Sequence, residues 1–318
     1  MAEVVALGEL LIDFTLVQTD IQGYPTLAAH PGGAPANFLA TLSRFGVSTA
    51  LLAKVGEDAF GTLLAETLGK EGVDVRALRR DKEAFTTLAF VTLDTAGERQ
   101  FSFARKPGAD TCLRPEELDG ELIRNAKVFH FGSLSLTQEP ARSATQSAIV
   151  LAKEAGCLIT YDPNYRPPLW NSAEEAKAQM LWGLEQADVV KLSREELKFL
   201  LNEDGPEAAR QLLEDYGLKL LFVTLGERGC YFTNGISCGR VKALGDLSIR
   251  DTTGAGDIFF GAAVSRLLAR EKTLEQLTET ELCEDVTFAC AAAGLSVEQP
   301  GGLSSIPDLQ EVYRRMGG

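Results

Sequence analysis

Histidine is scarce in this chain, with only His30 and His130, and the six cysteines (Cys112, Cys157, Cys230, Cys238, Cys283, Cys290) form no Cys-x-x-Cys pair. Both absences argue against a structural zinc site, which needs clustered thiolate and imidazole ligands. Basic charge is also in short supply, since 31 Lys and Arg face 45 Asp and Glu for a formal net charge of −14. That balance argues against nucleic acid or an anionic membrane as the main partner, because both select basic patches. The one basic run, Arg76 to Lys82, is interrupted by Ala77, Leu78 and Asp81 and reads as a solvated loop. No run approaches the roughly 20 apolar residues of a membrane span. The opening "MAEVVALGELLIDF" has no basic leader and is broken by Glu9 and Asp13, so no signal peptide is expected. Free thiols in a reducing, cytoplasmic setting fit this composition.

Two familiar glycine motifs are missing as well. A dinucleotide fingerprint G-x-G-x-x-G starting at Gly254 would need a third glycine where the chain has Phe259. A P-loop would need Gly-Lys-Ser/Thr, and Gly69-Lys70 is followed by Glu71.

What is present is an ordinary globular composition, 45% hydrophobic and 24% charged over 318 residues, enough for one large α/β domain or a domain with a smaller lid. β-rich runs at 4–10, 49–56, 126–133, 157–164, 187–193 and 219–232 alternate with helical patterns such as 34–45, 139–155 and 173–186. Such alternation predicts a doubly wound, mostly parallel sheet flanked by helices. Two stretches break the rhythm, 15–32 and 84–105, the second a hairpin-like pair of strands around Asp94 to Glu98. They predict a small β-sheet lid over a core made of 1–14, 33–83 and 106–318. A lid suits a reaction kept away from water.

In open parallel sheets ligands lie outside the carboxyl ends of the strands. The polar exceptions gather there: Asp13 after the first strand, Asp162, Asn164 and Arg166 after "CLITY", Ser193 and Glu196 after "ADVVK", and Thr224 and Gly226 after "KLLFV". The stretch "RDTTGAGDIFFG" (250–261) then places Asp257 at a helix start behind Gly254, Ala255 and Gly256. Asp257 is either a simple helix cap or a proton acceptor beside an anion-binding turn, because glycine approach and unpartnered helix N–H groups make a site for oxyanions. His130, mid-strand among Val128, Phe129 and Phe131, reads as a satisfied core residue.

With "GGAPANFLATLSRFG" (32–46) and "DTTGAGD" (251–257), the chain resembles the ribokinase-like (PfkB) family of carbohydrate kinases over essentially its whole length. The segments "FARKPGAD" (103–110), "FHFGSLSL" (129–136) and "YDPNYRPPLW" (161–170) look most like fructokinases. The resemblance implies a β-sheet lid on the core and transfer of the γ-phosphate of ATP, with Mg²⁺, to a sugar hydroxyl. It makes Asp257 the catalytic base, with Gly254, Ala255 and Gly256 as the anion hole. Asp13, Gly32, Gly33 and Asn37 match sugar-binding positions, although Asn37 also suits an ordinary first helical turn. Lys191, Thr224, Gly226 and Gly229 fall on the nucleotide side, and Glu196 where the family has an N-x-x-E carboxylate near Mg²⁺. The usual Asn of that motif is Ser193 here. Asp251, Thr253, Gly301 and Ser305 resemble positions that hold K⁺ in relatives, while Asp251 could equally fix its turn by an Asx-type hydrogen bond. Arg105 and Arg166 could hold sugar hydroxyls, the travelling phosphate, or the carboxylate of an acid sugar such as 2-keto-3-deoxygluconate. The expectation is an ATP-dependent fructokinase, with another ketose or an acid sugar as the alternative substrate and a silent sugar-binding regulator as the alternative class. A homodimer through the lid is the one protein partner expected.

Overall fold

The computed structural model describes residues 1–93 and 99–317. Its strands are β1 (Val4–Leu7), β2 (Leu11–Thr19), β3 (Pro25–Gly32), β4 (Thr49–Leu52), β5 (Lys54–Gly56), β6 (Arg79–Asp81), β7 (Leu88–Leu93), β8 (Arg99–Ala104), β9 (Val128–Gly132), β10 (Leu158–Asp162), β11 (Val189–Ser193), β12 (Leu220–Thr224), β13 (Cys230–Thr233) and β14 (Cys238–Val241). The helices are α1 (Ala34–Arg44), α2 (Ala59–Lys70), α3 (Gly120–Arg124), α4 (Ala141–Glu154), α5 (Ala173–Gln186), α6 (Arg194–Leu201), α7 (Pro206–Tyr216), α8 (Ala255–Ala269), α9 (Glu279–Ser296) and α10 (Leu309–Met316).

Eight strands form one sheet in the order β14-β13-β12-β11-β10-β9-β1-β4. Pairing is parallel from β4 to β12 and antiparallel at β13 and β14. The strands are apolar on both faces because helices cover both. Along β1, Val4 and Ala6 join the core under α1, α8 and α9, whereas Val5 and Leu7 join the core under α4, α5 and α7. Sheet order reverses at β1, whose neighbours are β4 and β9, so a crevice opens beyond the ends of β1 and β9.

A second sheet of four strands, β3-β2-β7-β8, covers that end. It accounts for both stretches without helical period, but it begins at Leu11, so Asp13 lies inside it opposite His30 rather than at the tip of the core. The hairpin turn expected at Asp94 to Glu98 lies outside the described residues. Phe14 on β2 stacks on Phe90 of β7 at 5.3 Å and meets Phe60 of α2 edge-on at 5.7 Å, tying this sheet to the core.

Three local expectations are corrected. The run 49–56 divides after Leu52, and β5 leaves the main sheet to pair with β6. That pairing turns part of the basic run 76–82 into a strand: Arg79 Nε donates to the Glu117 carbonyl at 2.8 Å and Asp81 meets Lys54 at 3.1 Å. The run 219–232 is two antiparallel strands joined by a tight turn at Gly226–Arg228. In the first two cases pairing with a distant strand, which local periodicity does not register, decided the outcome, and in the third a tight turn between Gly226 and Gly229, both at positive φ, broke the run.

His130 is buried, accepts or donates at Thr160 Oγ1 (3.1 Å), and stacks on Phe38 at 3.9 Å. Burial and the Lys191 charge hold its pKa down to about 3, so it is neutral in the fold. Phe38 also packs against Phe260 of α8. Phe38→Ala should cost about 3–5 kcal/mol, read as a lower urea midpoint with an unchanged slope.

Candidate active site

A cavity of about 780 Å³ lies between the carboxyl ends of the main sheet and the second sheet. Glu9, Asp13, Asn37, Arg166, Lys191 and Asp257 are among its lining residues. Strand ends, the helix starts that follow them and the covering sheet converge there, as the clustering of polar residues at strand ends led one to expect.

Asp257 occupies the first turn of α8. The cap position is Gly254 at φ 77°, a left-handed conformation that costs glycine little and other residues more. No side chain caps this helix; Ala255 N donates to the Thr252 carbonyl at 3.3 Å, so Ala255 is not free to serve the anion hole expected of it, and Gly254, Gly256 and Asp257 border the cavity. Asp257 is not the cap. Its Oδ2 instead accepts a 2.8 Å hydrogen bond from Asn37 Nδ2 of α1. Burial, then the nearby Asp162 charge, push its pKa up to about 7, against Asn37, Lys191 and Arg166, which lower it. Asn37 Oδ1 is buried without a partner. The Asn37 and Asp257 pair therefore presents one poised proton acceptor at a helix N-terminus.

α1 starts at an equally special turn. Gly33 has φ 120°, and a side chain there would strike the Glu9 carbonyl. Glu9 Oε1 accepts from Ala34 N at 2.9 Å, capping α1 from another element. A side chain at Gly32 would strike the Asp13 carboxylate. Asp13 has its pKa raised to about 6 by burial, with Arg166 easing and Asp251 adding to the shift.

Lys191 on β11 and Asp162 on β10 form a buried ion pair at 2.8 Å. Burial opposes the lysine charge, but Asp162 and Glu196 outweigh it and raise its pKa. Ser193 and Glu196 make a reciprocal capping box on α6: Ser193 Oγ accepts from Glu196 N (3.1 Å) and Glu196 Oε2 from Ser193 N (2.7 Å). Glu196 Oε1 also accepts from Tyr165 N at 2.8 Å. Serine in place of Asn thus has a definite local task, holding the carboxylate at the helix start.

Thr224 and Gly226 border both this cavity and a second of about 480 Å³, which Gly229 also lines. The second has apolar walls, Leu244, Leu247, Ile249, Phe259 and Val297, which no motif in the sequence announced. Their signal is only a scatter of aliphatic residues over a loop and two helices.

Arg105 is placed behind the cavity, not on its wall. It is 3% exposed, its Nε meets Asp110 at 2.8 Å, and its terminal nitrogens bond Thr137 Oγ1 (2.9 Å) and the Leu134 carbonyl (3.0 Å). A guanidinium so committed braces the cavity wall at Leu134 and does not reach a ligand. Asp251 realises the Asx-type alternative, with Oδ1 accepting from Thr253 N and Oδ2 from Gly301 N, both at 2.9 Å. Ser305 Oγ turns to the Gly302 carbonyl at 2.9 Å. Glu9 was missed as a site residue. An acid directly beyond a buried strand was the available signal.

The pfkB family carbohydrate kinase profile matches residues 1–309. The chain belongs to the pfkB family of carbohydrate kinases. Among relatives of this pfkB-family chain, a probable fructokinase-3 of Arabidopsis thaliana is 45% identical over 308 residues, spanning 96% of this chain and 88% of that protein. Fructokinase of Xylella fastidiosa with bound ATP superposes with a TM-score of 0.90 at 30% identity, covering 100% of this chain and 99% of the other. A double-mutant fructokinase of Vibrio cholerae O395 with fructose, ADP and potassium ion bound gives 0.89 at 32% identity, covering 99% and 98%.

Glu9, Asp13 and Asp257 all have raised pKa values, to about 7, 6 and 7. Between the unfolded carboxyl range and those values the native pfkB-family fold binds more protons than the unfolded chain, so their contribution to stability declines as pH rises through about 4 to 7. Asp257→Asn should therefore have a higher urea midpoint than the parent at pH 8, the two converging near pH 4.

Proposed function

We propose that this kinase transfers the γ-phosphoryl group of ATP to the 6-hydroxyl of D-fructose, giving D-fructose 6-phosphate and ADP. The observation that carries the reading is Asp257, held by Asn37 at the uncapped N-terminus of α8 and facing a cavity under a second sheet. ATP would run from the apolar second cavity past Thr224, Gly226 and Gly229 to the glycine turn, and the sugar would sit between Asp13 and Asn37. Asp13 and the Asn37 amide supply hydroxyl acceptors and a donor. Asp257 takes the proton of the attacking hydroxyl, and the N–H groups at Gly254 and Gly256 meet the charge on the transferring phosphoryl group. Lys191 and Arg166 add positive charge on the same wall. The second sheet acts as a lid that keeps water from competing for the phosphoryl group.

Among the described residues no group of three or more His, Cys, Asp or Glu could hold a metal. That fits Mg²⁺, which takes most of its ligands from water and phosphate and needs one or two carboxylates. Glu196, whose two oxygens accept from Ser193 N and Tyr165 N, would meet Mg²⁺ through water, and the ion would neutralise charge on the phosphates. The Asp251 turn, closed on Thr253 and Gly301 and backed by Ser305, is the proposed monovalent-cation position, held behind the anion hole. Replacing K⁺ by a bulky quaternary ammonium ion should then lower turnover severalfold. Leu16, Val17, Ile21 and Tyr24, exposed on the β2–β3 hairpin, support pairing of two lids in a homodimer.

Fructose is preferred over an acid sugar because Arg105 is spent inside the protein, leaving Arg166 as the cation of the pair on the cavity wall. ADP formation with D-fructose tests the reading; silence with fructose alongside turnover of another sugar overturns it. Asp257→Asn should lose about 10²–10⁴ in kcat. In the parent, kcat/KM should fall tenfold per pH unit below about 7, because the base must be ionised, and more steeply below about 6 where Asp13 protonates.

A further inference from the structure

The turn that follows β12 separates two cavities. Gly226 and Glu227 line the apolar one proposed for the nucleotide, while Leu225 and Arg228 line another of about 430 Å³ on the outer side. Arg194, Asp204, Tyr231 and Arg240 also border this outer cavity. A lone surface arginine needs no partner, because an exposed ion pair gains little over solvation by water. Three arginines around one concavity with a single acid are a different case, since a cleft lined by one sign of charge focuses its field on whatever enters. The acid is already taken, with Asp204 bonded to Arg194 at 2.6 Å. Arg228 and Arg240 make no ion pair among the described residues. Arg240 Nη2 donates to the Arg228 carbonyl at 3.2 Å, which ties its guanidinium to the turn that carries Arg228. Glu227, adjacent to Arg228 in sequence, lines the opposite cavity. This imbalance stands in a chain of formal net charge −14, where acids are plentiful.

We propose that the outer cavity is a regulatory site for a small phosphate monoester. The dianion takes N–H groups of Arg228 and Arg240, whose planar forks suit phosphate oxygens in pairs. Its carbon skeleton lies against Leu225 and the Tyr231 ring. The regulatory effect rests on the kinase reading. Arg228 ends the turn that begins at Gly226, and Arg194 opens α6 two residues before Glu196, so both belong to segments that border the nucleotide as well. A bound phosphate cancels positive charge beside the triphosphate position and repels it, so MgATP binds more weakly. Asp257 lies on α8, outside these segments, so turnover of bound substrates is unchanged.

The test compares the parent with the double variant Arg228→Gln, Arg240→Gln. Binding of glycerol 3-phosphate and of inorganic phosphate is measured by isothermal titration calorimetry, with the active site filled by fructose and a non-hydrolysable ATP analogue. The parent should bind one equivalent of glycerol 3-phosphate, severalfold tighter than inorganic phosphate. The double variant, with an unchanged Tm, should bind it at least tenfold more weakly. Saturating glycerol 3-phosphate should raise the parent's KM for MgATP at least threefold at constant kcat, whereas the double variant should show the raised KM from the start and no response. Absent binding to the parent, or equal binding and response in both proteins, overturns the proposal. Equal affinity for the two probes assigns the cavity to inorganic phosphate and overturns the ester. A parent without turnover rejects the kinase reading, while calorimetry still decides whether the site exists.

Discussion

The hydrogen bond from Asn37 to Asp257 joins residues 220 positions apart, and the rest of the site is arranged around it. It requires that α1 and α8 both begin at the mouth of the same crevice, that each begin at a glycine in a conformation other residues disfavour, and that the sheet beneath hold the two starts in register. The aromatic contacts of Phe38 with His130 and Phe260 supply that register from below. The bond also limits what Asp257 can be. An acid fixed by an amide donor stays aimed, and the helix end beside it has no side-chain cap.

Around that pair the protein separates its charges by burial and partner. Asp162 has Lys191, Asp110 has Arg105, and Glu196 has backbone donors at both oxygens. Glu9, Asp13 and Asp257 carry no such full compensation; burial raises their pKa values, as it also raises that of Asp162 in spite of Lys191. Glu196 borders the cavity beside Glu9, Asp13 and Asp257, whereas Asp162 and Asp110 do not line it. Proteins hold such groups where chemistry or recognition offsets the lost stability.

Membership of the pfkB carbohydrate kinases and the doubly wound core were legible in the sequence because their signals are local. A buried parallel strand is a short apolar run, a helix start that approaches phosphate needs glycines, and "DTTGAGD" carries turn, anion hole and acid in seven consecutive positions. Asp257, Asn37, Asp13 and Arg166 all line one cavity. The strands of the second sheet were visible as breaks in helical rhythm, although β2 starts earlier than the break suggests because its pairing with β3 and β7, not its composition, sets its length.

Other features had no local signature. Nothing in "FARKPGAD" tells whether Arg105 points to a ligand or to Asp110, five residues away, because that depends on Thr137 and the Leu134 carbonyl arriving from another segment. Nothing in "GELLID" separates Glu9 as a wall of the cavity from a solvent-facing acid. By itself the sequence determined the order of elements, the glycine turns and the acid at the start of α8, all set by short-range sterics and hydrogen bonding. The tertiary structure alone decided which charges are paired, which are left facing the cavity and which apolar residues line the second one, because burial and Coulomb interaction depend on distances that only long-range packing fixes.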